Sequence, residues 1–141
     1  LILLGCIPIL IGWLINASMM ANPETLPPLF LIGVVFLLAW GAAAFIARPR
    51  FQSGKQVVIL LNLVAALDLL LVCIQEIILG AYWMNAIGAW TQFYYLPLMN
   101  FGFTLTAWSH RTFTAYIAAF ILMVAVSALG CRLRNRKEAG R

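Results

Sequence analysis

Four stretches of about 20 residues, 1–20, 29–47, 57–80 and 113–131, are almost purely apolar, and together they contain only two charged side chains, Asp68 and Glu76. A helix rising 1.5 Å per residue needs about 20 apolar residues to cross a hydrocarbon core of roughly 30 Å. The rest of the composition points the same way. The chain is 65% hydrophobic and 9% charged, with a mean hydropathy of +1.01, whereas soluble domains average about one half apolar and one quarter charged. A water-soluble domain of 141 residues has too much surface for its volume to hide that much apolar area. The sequence therefore predicts an all-α integral membrane protein, with four transmembrane helices in a bundle. They form a single transmembrane domain over 1–131, followed by a basic tail, 132–141. The apolar run begins at Leu1 with no basic residue before it, which does not match the layout of a signal peptide.

Charge sets the expected topology. Eight of the nine Lys and Arg residues lie in the turn from Arg48 to Lys55 or in the tail from Arg132 to Arg141, and both should be cytoplasmic by the positive-inside rule. This predicts both termini in the cytoplasm, in a plasma or bacterial inner membrane. The net charge of +5 is thus read as a topology signal, and no nucleic-acid partner is expected.

The segment from Ala81 to Thr112 carries no charge before Arg111 and is dense in aromatics. It fits a fifth span, a re-entrant hairpin broken at Pro97 and Gly102, or a helix in the interface, and its uncharged core of 23 residues, 86–108, is long enough to cross. A fifth crossing would put the five basic tail residues outside. The segment is accordingly expected at the outer face, interfacial or re-entrant, with Trp83, Trp90, Tyr94, Tyr95 and Trp108 as headgroup-zone aromatics.

Within the third stretch, a 100° step per residue places Asn62, Asp68, Cys73, Gln75 and Glu76 in one half of the circumference. Leu63, Leu67, Leu70, Leu71, Ile74 and Ile78 fill the other half. The polar half should face a shared interior. Small residues mark further seams: Gly5, Pro8, Gly12 and Asn16 in the first stretch, Gly41 to Ala44 in the second, Ala118, Ala125 and Ala128 in the last. Such residues let backbones approach closely, either to close the chain's own bundle or to dock a second protein.

Asp68 falls near the middle of its stretch, where an ionised carboxylate costs at least about 2.5 kcal/mol. None of the four stretches contains Lys, Arg or His. Asp68 must then be protonated, bind a cationic group, pair with another subunit, or pack as a hydrogen-bonded structural residue near Asn16 or Asn62. Glu76 lies about one turn from the outer end, within reach of His110 or an ion pair with Arg111. It is otherwise a mouth carboxylate, eight residues or about 12 Å from Asp68. Asn62, Gln75, Asp68 and Glu76 are the candidate ligand- or ion-binding groups.

Other motifs carry little. His110 is the only histidine, which argues against a histidine-built metal site or paired haem ligands, and neither metal nor cofactor is expected. Ser109 beside it has no orienting acid. Gly54-Lys55 lacks the other elements of a phosphate loop, and Asn16-Ala17-Ser18 lies inside an apolar stretch. Cys6, Cys73 and Cys131 are read as small buried hydrophobes, with Cys131, beside the basic tail, also a candidate palmitoylation position.

The leading functional expectation is a non-enzymatic accessory or interaction subunit, held by its small-residue faces and Asp68 to a partner membrane protein or a second copy, with lipid around it. The alternatives are a small ion- or proton-coupled transporter or channel using Asp68 and Glu76, and a membrane-embedded lipid-binding protein or enzyme using the aromatic segment.

Overall fold

The computed structural model describes residues 1–109 and 111–140, and it is all-helical, with no strand among the described residues. Helices α1 (Ile2–Gly5) and α2 (Ile7–Ala21) form one rod, interrupted where Pro8 enters the first turn of α2. The proline lacks an N–H to continue the ladder and starts a new helix instead. Pro27 and Pro28 end the following turn, and α3 runs Leu29–Ala47. Helix α4 (Gly54–Cys73) is capped by Ser53, whose side chain accepts from the Gln56 N–H at 3.3 Å. It continues as a π-turn over Ile74–Ile78 and stops at Gly80, whose φ of +63° is the left-handed conformation that glycine adopts at no steric cost. Helix α7 spans Thr112–Ala139. These four rods are long and apolar enough to cross a membrane.

Two expected boundaries move. The sequence pattern ends the last helix at Cys131, but α7 continues through Arg132–Lys137 to Ala139 without a break. Arg134 and Glu138 are spaced for an i, i+4 ion pair, which closes at 2.8 Å, and basic residues in the last turn suit the helix dipole. The aromatic segment is not one long helix. It forms α5 (Ala86–Tyr94), a 3₁₀ turn at Leu96–Leu98, and α6 (Met99–Leu105), bent where Pro97 removes a backbone donor.

The direction of the segment follows from a single contact. The Phe113 N–H, at the start of α7, donates to a Glu76 carboxylate oxygen at 3.0 Å. The segment therefore leaves and returns at the same end of the structure. In between it turns inward: the Tyr95 hydroxyl reaches the Ala65 carbonyl at 2.6 Å, near the middle of α4. Glycines make that depth accessible. A Cβ on Gly12 would lie 1.9 Å from the Phe93 carbonyl oxygen, and one on Gly102 would lie 2.5 Å from that of Ala115.

Helix α7 packs against α3, α4 and α6. Gly130 meets the backbone of Gly41, and Cys131 the carbonyl of Ala44, so α3 and α7 run in the same direction and α4 against them. The basic turn after α3, the start of α4 and the end of α7 thus gather at one end. Outward faces are apolar, with Leu10, Leu38, Ile59, Leu70, Ile121 and Leu129 all exposed.

Candidate functional site

Three polar side chains of α4 and its π-turn are buried, and they differ in how they are satisfied. Asn62 accepts from Trp40 Nε1 at 3.1 Å, and its amide nitrogen donates to Ser127 Oγ at 2.9 Å and to the Val58 carbonyl at 2.8 Å. It ties α3, α4 and α7 together, with both its N–H groups and its oxygen partnered. Gln75 donates to Thr91 Oγ1 at 3.1 Å and accepts from the Trp83 N–H at 3.0 Å. It fastens α5 to the end of α4. Asp68, only 7% exposed, is the exception: its Oδ2 is buried without a hydrogen-bond partner. It does not pack against Asn62 as a bonded pair, because the Asn62 carboxamide is committed elsewhere.

The surroundings of Asp68 are tyrosines. All four tyrosines of the chain lie along this side of α4: Tyr82 at Glu76, Tyr116 within electrostatic range of both carboxylates, and Tyr94 and Tyr95 near Asp68, their hydroxyls on the Gly5 and Ala65 carbonyls. Tyr94, Tyr95 and Tyr116 lie within electrostatic range of Asp68, and none of their hydroxyls bonds it. The Tyr94 and Tyr95 rings meet edge to face at 5.0 Å, and Tyr95 meets Tyr116 at 5.7 Å. Tyr116 in turn lies beside Tyr82, whose hydroxyl donates to Glu76. Glu76, Tyr82, Tyr116 and Tyr95 thus lead from the end of α4 toward Asp68, joined beyond Tyr82 by ring contact and proximity, with no tyrosine hydroxyl bonded to Asp68 itself. Burial and the adjacent Glu76 hold the Tyr82 phenol above its ordinary range, so it remains a donor.

The π-turn makes the outer section of the row possible. One residue is added to the turn, and π-turns recur at functional positions because they re-aim side chains inside a helix. Here neighbours Gln75 and Glu76 both find partners: Gln75 toward α5, Glu76 toward Tyr82 and the start of α7.

Several expectations are corrected by this geometry. Tyr94 and Tyr95 do not face outward as an aromatic belt would; both are buried, their hydroxyls donating to the Gly5 and Ala65 carbonyls. A tyrosine tolerates burial when its hydroxyl finds an acceptor, and the bend at Pro97 carries these two inward. Trp90 and Trp108 are exposed, at 56% and 78%, and Trp83 is half-buried. Glu76 does not close an ion pair with Arg111. The two line a common cavity of about 300 Å³ with Ile77 and Phe113. The carboxylate is instead bonded by Tyr82 and by the N–H of Phe113, at a helix start whose dipole favours negative charge. His110, the other expected partner, lies outside the described residues. Of the cysteines, only Cys131 is buried; Cys6 is exposed and Cys73 half-buried.

The small-residue seams of the first two stretches are taken up within the chain, whereas on α7 Ala125 is exposed and Ala118 and Ala128 are half-buried. Gly5 packs on Val64, Gly12 on Phe93, Gly41 on Val126 and Gly130 on Gly41. Tyr82, Tyr116 and Thr91 do not stand out in the sequence. For Tyr116 a signal existed: a phenol inside an otherwise apolar stretch needs an acceptor, and only polar residues of a neighbouring element can supply one.

Comparison with protein-family models, with curated proteins and with solved structures gives no match to this chain. The functional reading rests on the geometry alone.

Proposed function

We propose that this chain is a four-span membrane protein, basic end in the cytoplasm, whose buried Asp68 is a proton site served from the opposite face by Glu76 and the tyrosine row. This places it in the proton-coupled transporter or proton-channel class. The observation that carries the reading is the unpartnered Asp68 oxygen in an interior where every side-chain nitrogen and oxygen of Asn62 and Gln75 has a partner.

A proton suits the position better than a metal cation. Hard cations take six or more oxygen ligands, and no cluster of three or more His, Cys, Asp or Glu exists among the described residues. A proton needs one carboxylate oxygen with a free lone pair, and protonation removes the cost of an ionised group in hydrocarbon. The Tyr95 hydroxyl donates to the Ala65 carbonyl, so the last transfer to Asp68 needs an intervening water rather than the phenol's own proton.

Infrared difference spectroscopy on the chain in liposomes tests the site. A carboxylic-acid C=O band that grows as pH falls and is missing from Asp68→Asn is expected, and identical spectra for the two would sink the proposal. Voltage-driven proton entry into the same vesicles, if undiminished in Asp68→Asn, would remove the pathway.

The accessory-subunit reading keeps one supporting observation, an outward apolar groove of about 330 Å³ between α2 and α3, lined by Ile11, Leu31, Val35 and Phe36 among others. A stable complex or dimer in mild detergent, disrupted by Val35→Trp, would favour it; a monomer would exclude it.

A further inference from the structure

A cavity of about 470 Å³ opens between the start of α4 and the end of α7, away from Asp68. Its lining changes character along its length. Lys55, Arg132 and Asn135 border it at the basic end, while Val58, Ile59 and Ala128 line it one turn further in. The small residue at Gly54 opens the gap: a Cβ there would lie 3.3 Å from that of Cys131. The Arg48 side chain borders the same glycine, its Nε 3.6 Å from such a Cβ, and that Nε is buried with no hydrogen-bond partner. The acid nearest in sequence, Glu138, is already paired with Arg134.

We infer that this groove binds one anionic phospholipid, its headgroup phosphate held by Lys55, Arg132 and Asn135 and the upper part of an acyl chain lying on Val58, Ile59 and Ala128. The argument is charge complementarity joined to polarity order. Two cationic side chains and an amide stand at the rim, where a headgroup would lie, above a wall that is almost wholly apolar and runs inward along the helices. Guanidinium and ammonium groups are the usual phosphate ligands, and basic pockets between helices on the cytoplasmic side fit anionic headgroups. A soluble phosphate would leave the apolar half of the groove wet, whereas a lipid fills both halves. The inference needs membrane insertion but not proton binding at Asp68.

The test is native mass spectrometry of the full chain released from detergent containing equal phosphatidylglycerol and phosphatidylcholine. The wild type should retain one phosphatidylglycerol in preference. Lys55→Gln with Arg132→Gln should weaken that retention about thirtyfold, the equivalent of roughly 1 kcal/mol for each basic residue. Arg136→Gln with Lys137→Gln, which removes equal charge outside the groove, should change it little. Ala128→Phe keeps every charge but fills the groove, and it should also release the lipid. Equal loss in the two charge pairs would mean diffuse attraction and overturn the site, as would full retention in Ala128→Phe. A dimer abolished by Ala128→Phe, with no lipid retained, would assign the groove to a second copy and overturn it too. Inorganic phosphate that competes as well as lipid would show that the apolar wall contributes nothing, and would overturn the lipid assignment.

Discussion

Asn62 and Asp68 stand six residues apart on α4, are buried to 4% and 7% exposure, and differ by one functional group, yet the structure treats them in opposite ways. Around Asn62 every donor and acceptor meets a partner from α3, α4 or α7. Around Asp68 the carboxylate is left with an unpartnered oxygen among phenols. A polar group that is fully bonded rigidifies the interior, and one left open costs free energy that packing alone does not recover. The first arrangement is what a structural residue looks like. The second is what the proposed proton site requires, an oxygen with a free lone pair.

That contrast breaks most sharply in function. Asp68→Asn should abolish pH-dependent proton uptake, a loss of about a hundredfold or more as expected of a general proton-transfer group, while changing unfolding stability by less than about 1 kcal/mol because shape and polarity are nearly kept. Asn62→Leu should do the reverse. It orphans Trp40 Nε1 and removes the amide donor to Ser127 Oγ, whose own bond to the Val124 carbonyl stays, costing about 1 to 3 kcal/mol, and should affect uptake only through the fraction of folded protein. Thermal unfolding in detergent and dye-reported uptake in liposomes measure the two quantities. If Asn62→Leu stopped transport in fully folded protein, or Asp68→Asn unfolded the chain, the division between the two residues would be wrong.

Helix α4 was legible in the sequence to this extent: the 100° periodicity of Asn62, Asp68 and Gln75 against Leu63, Leu67 and Leu70 predicts which half turns inward, and the structure buries the first three and exposes the others. What the periodicity cannot contain is which polar residue gains partners. Those partners, Trp40, Ser127 and Thr91, lie 16 or more residues away in sequence, on helices whose azimuth is set by glycine contacts. The fate of Tyr94 and Tyr95 was illegible for a related reason. Interface preference describes an average tyrosine, and these two are carried inward by a bend at Pro97 and by the missing side chains of Gly12 and Gly102. The π-turn has no sequence signature at all, since Ile74–Ile78 reads as ordinary apolar helix with two polar insertions.

The inward position of the aromatic segment gives a smaller test. Gly12→Ala would bring a methyl group to 1.9 Å of the Phe93 carbonyl, a distance no real contact shows, so α2 and α5 must separate. Overpacking of this kind costs about 1 to 3 kcal/mol. The effect should fall on the Asp68 side of the comparison, because α5 carries Tyr94 and precedes Tyr95, while the Asn62 bonds to α3 and α7 are untouched. Cysteine labelling at position 93 in a Gly12→Ala background should show increased accessibility, and labelling at position 127 should not.

The gentlest probe is Tyr82→Phe, which removes one hydroxyl from the outer end of the row and leaves the ring. Glu76 keeps the Phe113 N–H at 3.0 Å, so the start of α7 stays anchored and the stability change should remain near 1 kcal/mol, about the net worth of a single hydrogen bond. Proton uptake should slow by about five- to tenfold, because Glu76 and Tyr116 are then joined only across a phenyl edge. If the tyrosine row is merely a packed stack, Tyr82→Phe will be silent in uptake and its small stability loss will match that of Thr91→Val, which removes the hydroxyl partner of Gln75. A kinetic effect in Tyr82→Phe without one in Thr91→Val would separate the open region of the interior from the closed region by the loss of a single hydroxyl in each.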